Sequence, residues 1–85
     1  MINKINFTPA YNTAFKGEKE VKMLVEKTNE LPQNGNDITN FGLELFWNFR
    51  DKKISVQDIL EAAKQIKEEW KVTYLKRKAK AFEES

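Results

Sequence analysis

The chain is 85 residues long, 40% hydrophobic and 33% charged, with a net charge of +2, which fits one globular domain and neither two domains nor a disordered segment. It contains no cysteine and no histidine, so disulfides and Cys/His zinc sites are excluded and the commonest catalytic base and strongest nucleophile are missing. A domain of this size has a thin stability margin, and without such staples the remaining source of extra stability is a partner surface, either a second copy or another protein.

Residues 1–16 read as an irregular, extended arm. Pro9 holds Thr8 in extended geometry, and the asparagines of this stretch compete with regular structure. The arm carries Ile2, Ile5, Phe7, Tyr11 and Phe15, more large apolar groups than a solvated tail holds, and so is expected to pack on its own helices or on a partner. From Met1 to Pro9 there is no continuous apolar run of the kind a signal peptide has, and no stretch of about 20 apolar residues to cross a membrane. The expectation is a cytoplasmic protein without membrane contact. Lysine outnumbers arginine and asparagine is common, a usage that points to an AT-rich genome such as that of a low-GC bacterium or one of its phages.

Residues 17–85 form the expected helical domain. A first helix is predicted from about Glu18 to Leu31, with Val21, Leu24, Val25, Thr28 and Leu31 on one stripe. Glu18 and Glu20 suit the positive end of its dipole, and Pro32 followed by Gln-Asn-Gly-Asn stops it. A second helix is predicted from an N-cap at Asp37 to about Asp51. Ile38, Phe41, Leu45 and Phe49 share one face, with Phe46 at its edge, while Leu43 and Trp47 lie on the opposite side. The third helix has the clearest start: Ser55 as N-cap, Asp58 at the reciprocal N3 position, and Ile54 with Ile59 as a hydrophobic staple. Its stripe reads Val56, Ile59, Ala63, Ile66, Trp70 and Tyr74. No glycine or proline interrupts it, so it is predicted as one helix of roughly 27 residues and about 40 Å, its last two turns projecting beyond the others. The short Asp51-Lys52-Lys53 link implies an antiparallel hairpin of helices two and three. The fold class is therefore all-α: a three-helix arrangement, a helix hairpin with a long C-terminal helix, preceded by an irregular arm.

The catalytic inventory is poor. Gly17, Gly35 and Gly42 make no phosphate-cradling loop, and the carboxylate pairs Glu68/Glu69 and Asp58/Glu61 read as solvated helix charges, with no evident pocket to shift their pKa values. The stretch from Asp51 to Asp58 echoes the second half of an EF-hand loop. Aligned so, only Asp51 supplies a ligand among the early loop positions, and Lys52 stands where the invariant glycine belongs. No enzyme activity, catalytic residue, cofactor, metal or small-molecule substrate is expected.

Two surfaces remain. Leu43 and Trp47 on helix two, and Leu75 and Phe82 on the end of helix three, lie off the core stripes, and large apolar residues of this kind mark binding hot spots. For Leu43 and Trp47 the alternative is a central helix covered on both sides, by the arm among others. The second surface is basic: Lys71, Lys76, Arg77, Lys78 and Lys80 place five positive charges in ten residues, whereas residues 1–70 carry ten basic and eleven acidic side chains. Such a helix can neutralise a phosphate backbone, but Glu83 and Glu84 adjoin it, and cations also suit a helix C-terminus. The expected function is a protein–protein interaction module, a small structural, regulatory or inhibitory accessory protein that binds another protein or itself. The alternative is a nucleic-acid-binding protein using the basic helix.

Overall fold

A computed structural model of the chain describes residues 17–84. The expected arm, residues 1–16, and Ser85 lie outside the described residues. Within them the fold is all-helical: α1 (Glu18–Asn29), α2 (Gly35–Arg50), α3 (Val56–Ala63) and α4 (Glu69–Glu84).

α1 starts and faces as its pattern requires. Val21, Leu24 and Thr28 are buried, and Pro32 follows two residues after the Glu30 C-cap. α2 begins earlier than expected. Its N-cap is Asn34, whose side chain accepts from the Asp37 backbone N–H at 3.0 Å and donates to the Asp37 carboxylate at 2.7 Å. Asp37 is thus the third residue of the helix rather than its cap, and Gly35 and Asn36 join the first turn. α2 ends in a Schellman turn: Lys53 N–H donates to the Asn48 carbonyl (2.9 Å), Lys52 N–H donates to the Phe49 carbonyl (3.1 Å), and Lys52 takes φ 64°, the left-handed position glycine usually fills.

α3 carries the expected capping box. Ser55 Oγ accepts from Asp58 N–H at 3.1 Å, and the Asp58 carboxylate accepts from Ser55 N–H at 3.0 Å. Ile54 and Ile59 are both buried beneath it. The single long helix is not formed. After Ala63 the backbone tightens into i→i−3 hydrogen bonds, Gln65 N–H to Ala62 O and Ile66 N–H to Ala63 O, and a new helix begins at Glu69. The reason lies in the phase of the apolar residues. At 100° per residue, a continuous helix would put Leu75, Ala79 and Phe82 about half a turn away from Ile59 and Ile66. A domain this small has one core, and both sets are in it: Ile59, Ile66, Leu75, Ala79 and Phe82 are all buried. A turn over Lys64–Glu68 is the way to bring them to the same side.

The break changes the arrangement from three helices to four and folds the expected projection back. α3 packs on both α1 and α4, and α2 packs on α4, so the hairpin partner expected for α2 is displaced by the returning C-terminal helix. Trp70 and Tyr74, expected in the core stripe, are half-buried at its margin. The end of α4 is anchored by Phe82, which stacks on Phe49 at 4.9 Å between centroids and tilts against Phe46 at 5.9 Å.

The same rotation buries Lys71, 2% exposed. Its ammonium donates to the Asn29 carbonyl at the end of α1 (2.9 Å) and pairs with Glu68 at 2.6 Å. The last carbonyls of a helix have no partner of their own, so Lys71 satisfies one and places a positive charge at the negative end of α1. Truncation of Leu75 to Ala is expected to cost about 2–5 kcal/mol, as for a fully buried leucine, and Lys71→Met about 1.5–3 kcal/mol for the lost charged hydrogen bonds. Urea unfolding followed by far-UV circular dichroism measures both, and near-neutral values would mean that this side of α4 faces outward.

Candidate interaction surface

α2 is the helix with apolar residues to spare. Phe41 and Leu45 point into the core, leaving Leu43 and Trp47, one turn apart, on the outer side. They are 53% and 55% exposed. The Trp47 ring meets the edge of half-buried Phe46 at 5.6 Å, and the Arg50 guanidinium lies over both, 5.8 Å from the Phe46 centroid and 5.7 Å from that of Trp47. Two aromatic rings and a cation therefore form a preassembled plate at the C-terminal half of α2.

Beside the plate runs a groove between α2 and α4, lined by Ile38, Thr39, Gly42, Leu43, Phe46, Tyr74, Lys78 and Phe82. Gly42 sets its depth. A Cβ there would lie 2.5 Å from the Tyr74 hydroxyl, so the two helices approach at that point because the side chain is absent. The Tyr74 hydroxyl donates to the Ile38 carbonyl at 3.0 Å, and its ring stacks with Phe41 at 6.2 Å. Burial pushes its phenol above the ordinary tyrosine value. The Lys78 ammonium sits 5.5 Å from the Tyr74 ring centroid and forms the α4 rim.

The structure divides the four apolar residues expected at an interface. Leu43 and Trp47 are exposed. Leu75, with no exposed surface, and Phe82, at 8%, belong to the core, because α4 turns back and supplies them with the neighbours that a projecting end lacks. The basic cluster is divided as well. Lys71 is buried as the cap of α1 and Lys78 leans on Tyr74, while Lys76, Arg77 and Lys80 are exposed. Lys71 also holds the Glu68 carboxyl below its ordinary value, through its hydrogen bond first and its charge second.

Of the carboxylate pairs, Asp58 is spent in the capping box, and Glu61 accepts from Lys64 and Gln57. Among the described residues no group of three or more Asp or Glu side chains converges to hold a metal ion, and no helix is long and apolar enough to cross a membrane. Sequence reasoning passed over Gly42 and Arg50. The first carries a signal only as a glycine inside a helical pattern. The second lies seven residues after Leu43 and three after Trp47 on the same helix side, a spacing that was readable.

No protein-family model, curated protein or solved structure matches the chain.

The close approach at Gly42 makes a double-mutant cycle informative. Gly→Ala in a helix interior ordinarily stabilises by about 1 kcal/mol, but Gly42→Ala is expected to destabilise because its methyl meets the Tyr74 hydroxyl. In the Tyr74→Phe background the same change should regain the ordinary sign. Thermal unfolding of the four proteins gives the coupling, and additive effects would show that the helices are not in contact there.

Proposed function

We propose that this protein is a non-catalytic protein–protein interaction module, a small structural or regulatory accessory protein that grips its partner with the outer side of α2. The observation that carries this reading is the pair Leu43 and Trp47, each more than half exposed on a helix whose other side is already committed to the core. A tryptophan with few rotatable bonds, held by a ring edge and a guanidinium, supplies a large contact area at low entropic cost, the property of interface hot spots. The adjoining groove offers a place for a partner's own apolar side chains. The lack of histidine and cysteine agrees with a role that needs no acid–base or nucleophilic group.

A second reading, nucleic-acid binding through α4, is favoured by Lys76, Arg77 and Lys80, which project within roughly 100° of one another on an exposed helix side. It is the weaker of the two, because Lys71 is buried under the end of α1, Lys78 lies on another side of α4 beside Tyr74, and Glu83 and Glu84 close the same helix.

Light scattering over a tenfold concentration range establishes whether the chain assembles with itself. Leu43→Ala and Trp47→Ala are expected to leave stability within about 1 kcal/mol, as for surface positions, while abolishing assembly or partner binding. Loss of fold in both variants would place both residues in the core and remove the support for an interface. If α4 binds duplex DNA instead, the slope of log affinity against log salt should fall by about 0.9 for each lysine or arginine neutralised. Fluorescence anisotropy with labelled DNA, comparing wild type with Lys76→Ala/Arg77→Ala, reads that slope, and no binding at low salt rules the second reading out.

A further inference from the structure

We infer that the groove between α2 and α4 receives an acidic amphipathic helix of a different protein. This rests on the reading of α2's outer side as an interface and specifies the chemistry of what covers it.

The argument is one of charge placement. The charged groups of α2 are sorted by side. Asp37 and Glu44 are seven residues apart, so they lie along one line of the helix, roughly 100° round from Leu43 and roughly 60–80° from Trp47. That line faces α1: Glu44 pairs with Lys27, and Asp37 and Glu44 border a cleft shared with Leu31 and Pro32. The charges beside the apolar groove are cationic. Lys78 stands on the α4 wall, and Arg50 lies over Phe46 and Trp47 at the far end. The closing glutamates of α4 point elsewhere, Glu83 about 100° and Glu84 about 160° round from Phe82. An apolar trough is thus bordered by one cation on each helix, with the carboxylates of α2 turned away.

A helix with large apolar residues at i, i+3 and i+4 would set them on Leu43, Phe46 and Trp47, and carboxylates flanking that stripe would meet Arg50 and Lys78. Helix-in-groove recognition of this kind draws affinity from the apolar anchors, and its selectivity from the flanking charges.

The same charges argue against the chain's own surfaces as occupants. The first sixteen residues hold Lys4 and Lys16 and no aspartate or glutamate, so they bring apolar groups with the wrong sign of charge. A second copy docking through this side of α2 would bring the same cations, Arg50 and Lys78, and no carboxylate from its own groove to pair with them. The complementary occupant is a different protein with an acidic flank.

The test is selection of random peptides of about 16 residues, some four helical turns, displayed on phage against the immobilised full-length chain. Leu43→Glu serves as the counter-selection, and circular dichroism checks that each variant is folded. The expected result is enrichment of peptides with apolar residues at helical spacing flanked by Asp and Glu. Binding of a recovered synthetic peptide should weaken about tenfold or more in Arg50→Glu/Lys78→Glu, and selection on that variant should turn toward Lys- and Arg-flanked peptides. Enriched peptides with neutral or basic flanks would overturn the charge assignment while leaving α2's outer side as an interface. So would an absence of enrichment together with a concentration-dependent mass lost in Leu43→Glu, which identifies a second copy as the occupant. Peptides insensitive to Leu43→Glu, or no enrichment from a strictly monomeric chain, would overturn both this inference and the interaction reading beneath it.

Discussion

The whole arrangement depends on one geometric constraint: the apolar residues on either side of Lys64–Glu68 are half a turn out of phase. Ile59, Ala62, Ala63 and Ile66 require one side of a helix, and Leu75, Ala79 and Phe82 require the other. A straight helix could bury one set and would leave the other in water, at a cost of about 1.5–3 kcal/mol for each large side chain. Breaking the helix sacrifices several backbone hydrogen bonds, of which those of Gln65, Ile66 and Lys71 are recovered as i→i−3 contacts, and places both sets in one core. The burial term wins, although no residue in the turn is a helix breaker.

Once α4 returns, its other features follow. Its rotation carries Lys71 under the end of α1, where a buried ammonium is tolerated because a carbonyl and a carboxylate receive it. It also lays Tyr74 against Gly42 and Phe82 against Phe46 and Phe49. These contacts cover the side of α2 that faces α4 and leave Leu43 and Trp47 bare. The candidate interface is therefore what remains of a two-sided apolar helix after the fold has used one side of it.

Local signals were legible wherever the interaction is local. The α3 capping box and its staple, the start of α1 and the stop at Pro32 were readable because their partners lie within a turn. The cap of α2 was displaced by three residues because Asn34 and Asp37 are both good caps at that spacing, and they hydrogen-bond to each other. Leu43 and Trp47 were readable as off-stripe residues. Leu75 and Phe82 gave the same signal with the opposite meaning: a second apolar side on one helix is a surface if the helix is straight and core if it turns.

By itself, the sequence determined that the described chain is helical, where α1 and α3 begin, and that it lacks histidine and cysteine, since these follow from composition, spacing and hydrogen bonds between near neighbours. Only the tertiary structure decided which side of the last helix is inside, that Lys71 caps a helix rather than meeting solvent, and that Gly42 is a contact point. Each of these depends on groups brought together from far apart in the chain, as Lys71 is with Asn29 and Tyr74 with Ile38. Periodicity within one element carries no information about which neighbour will cover it.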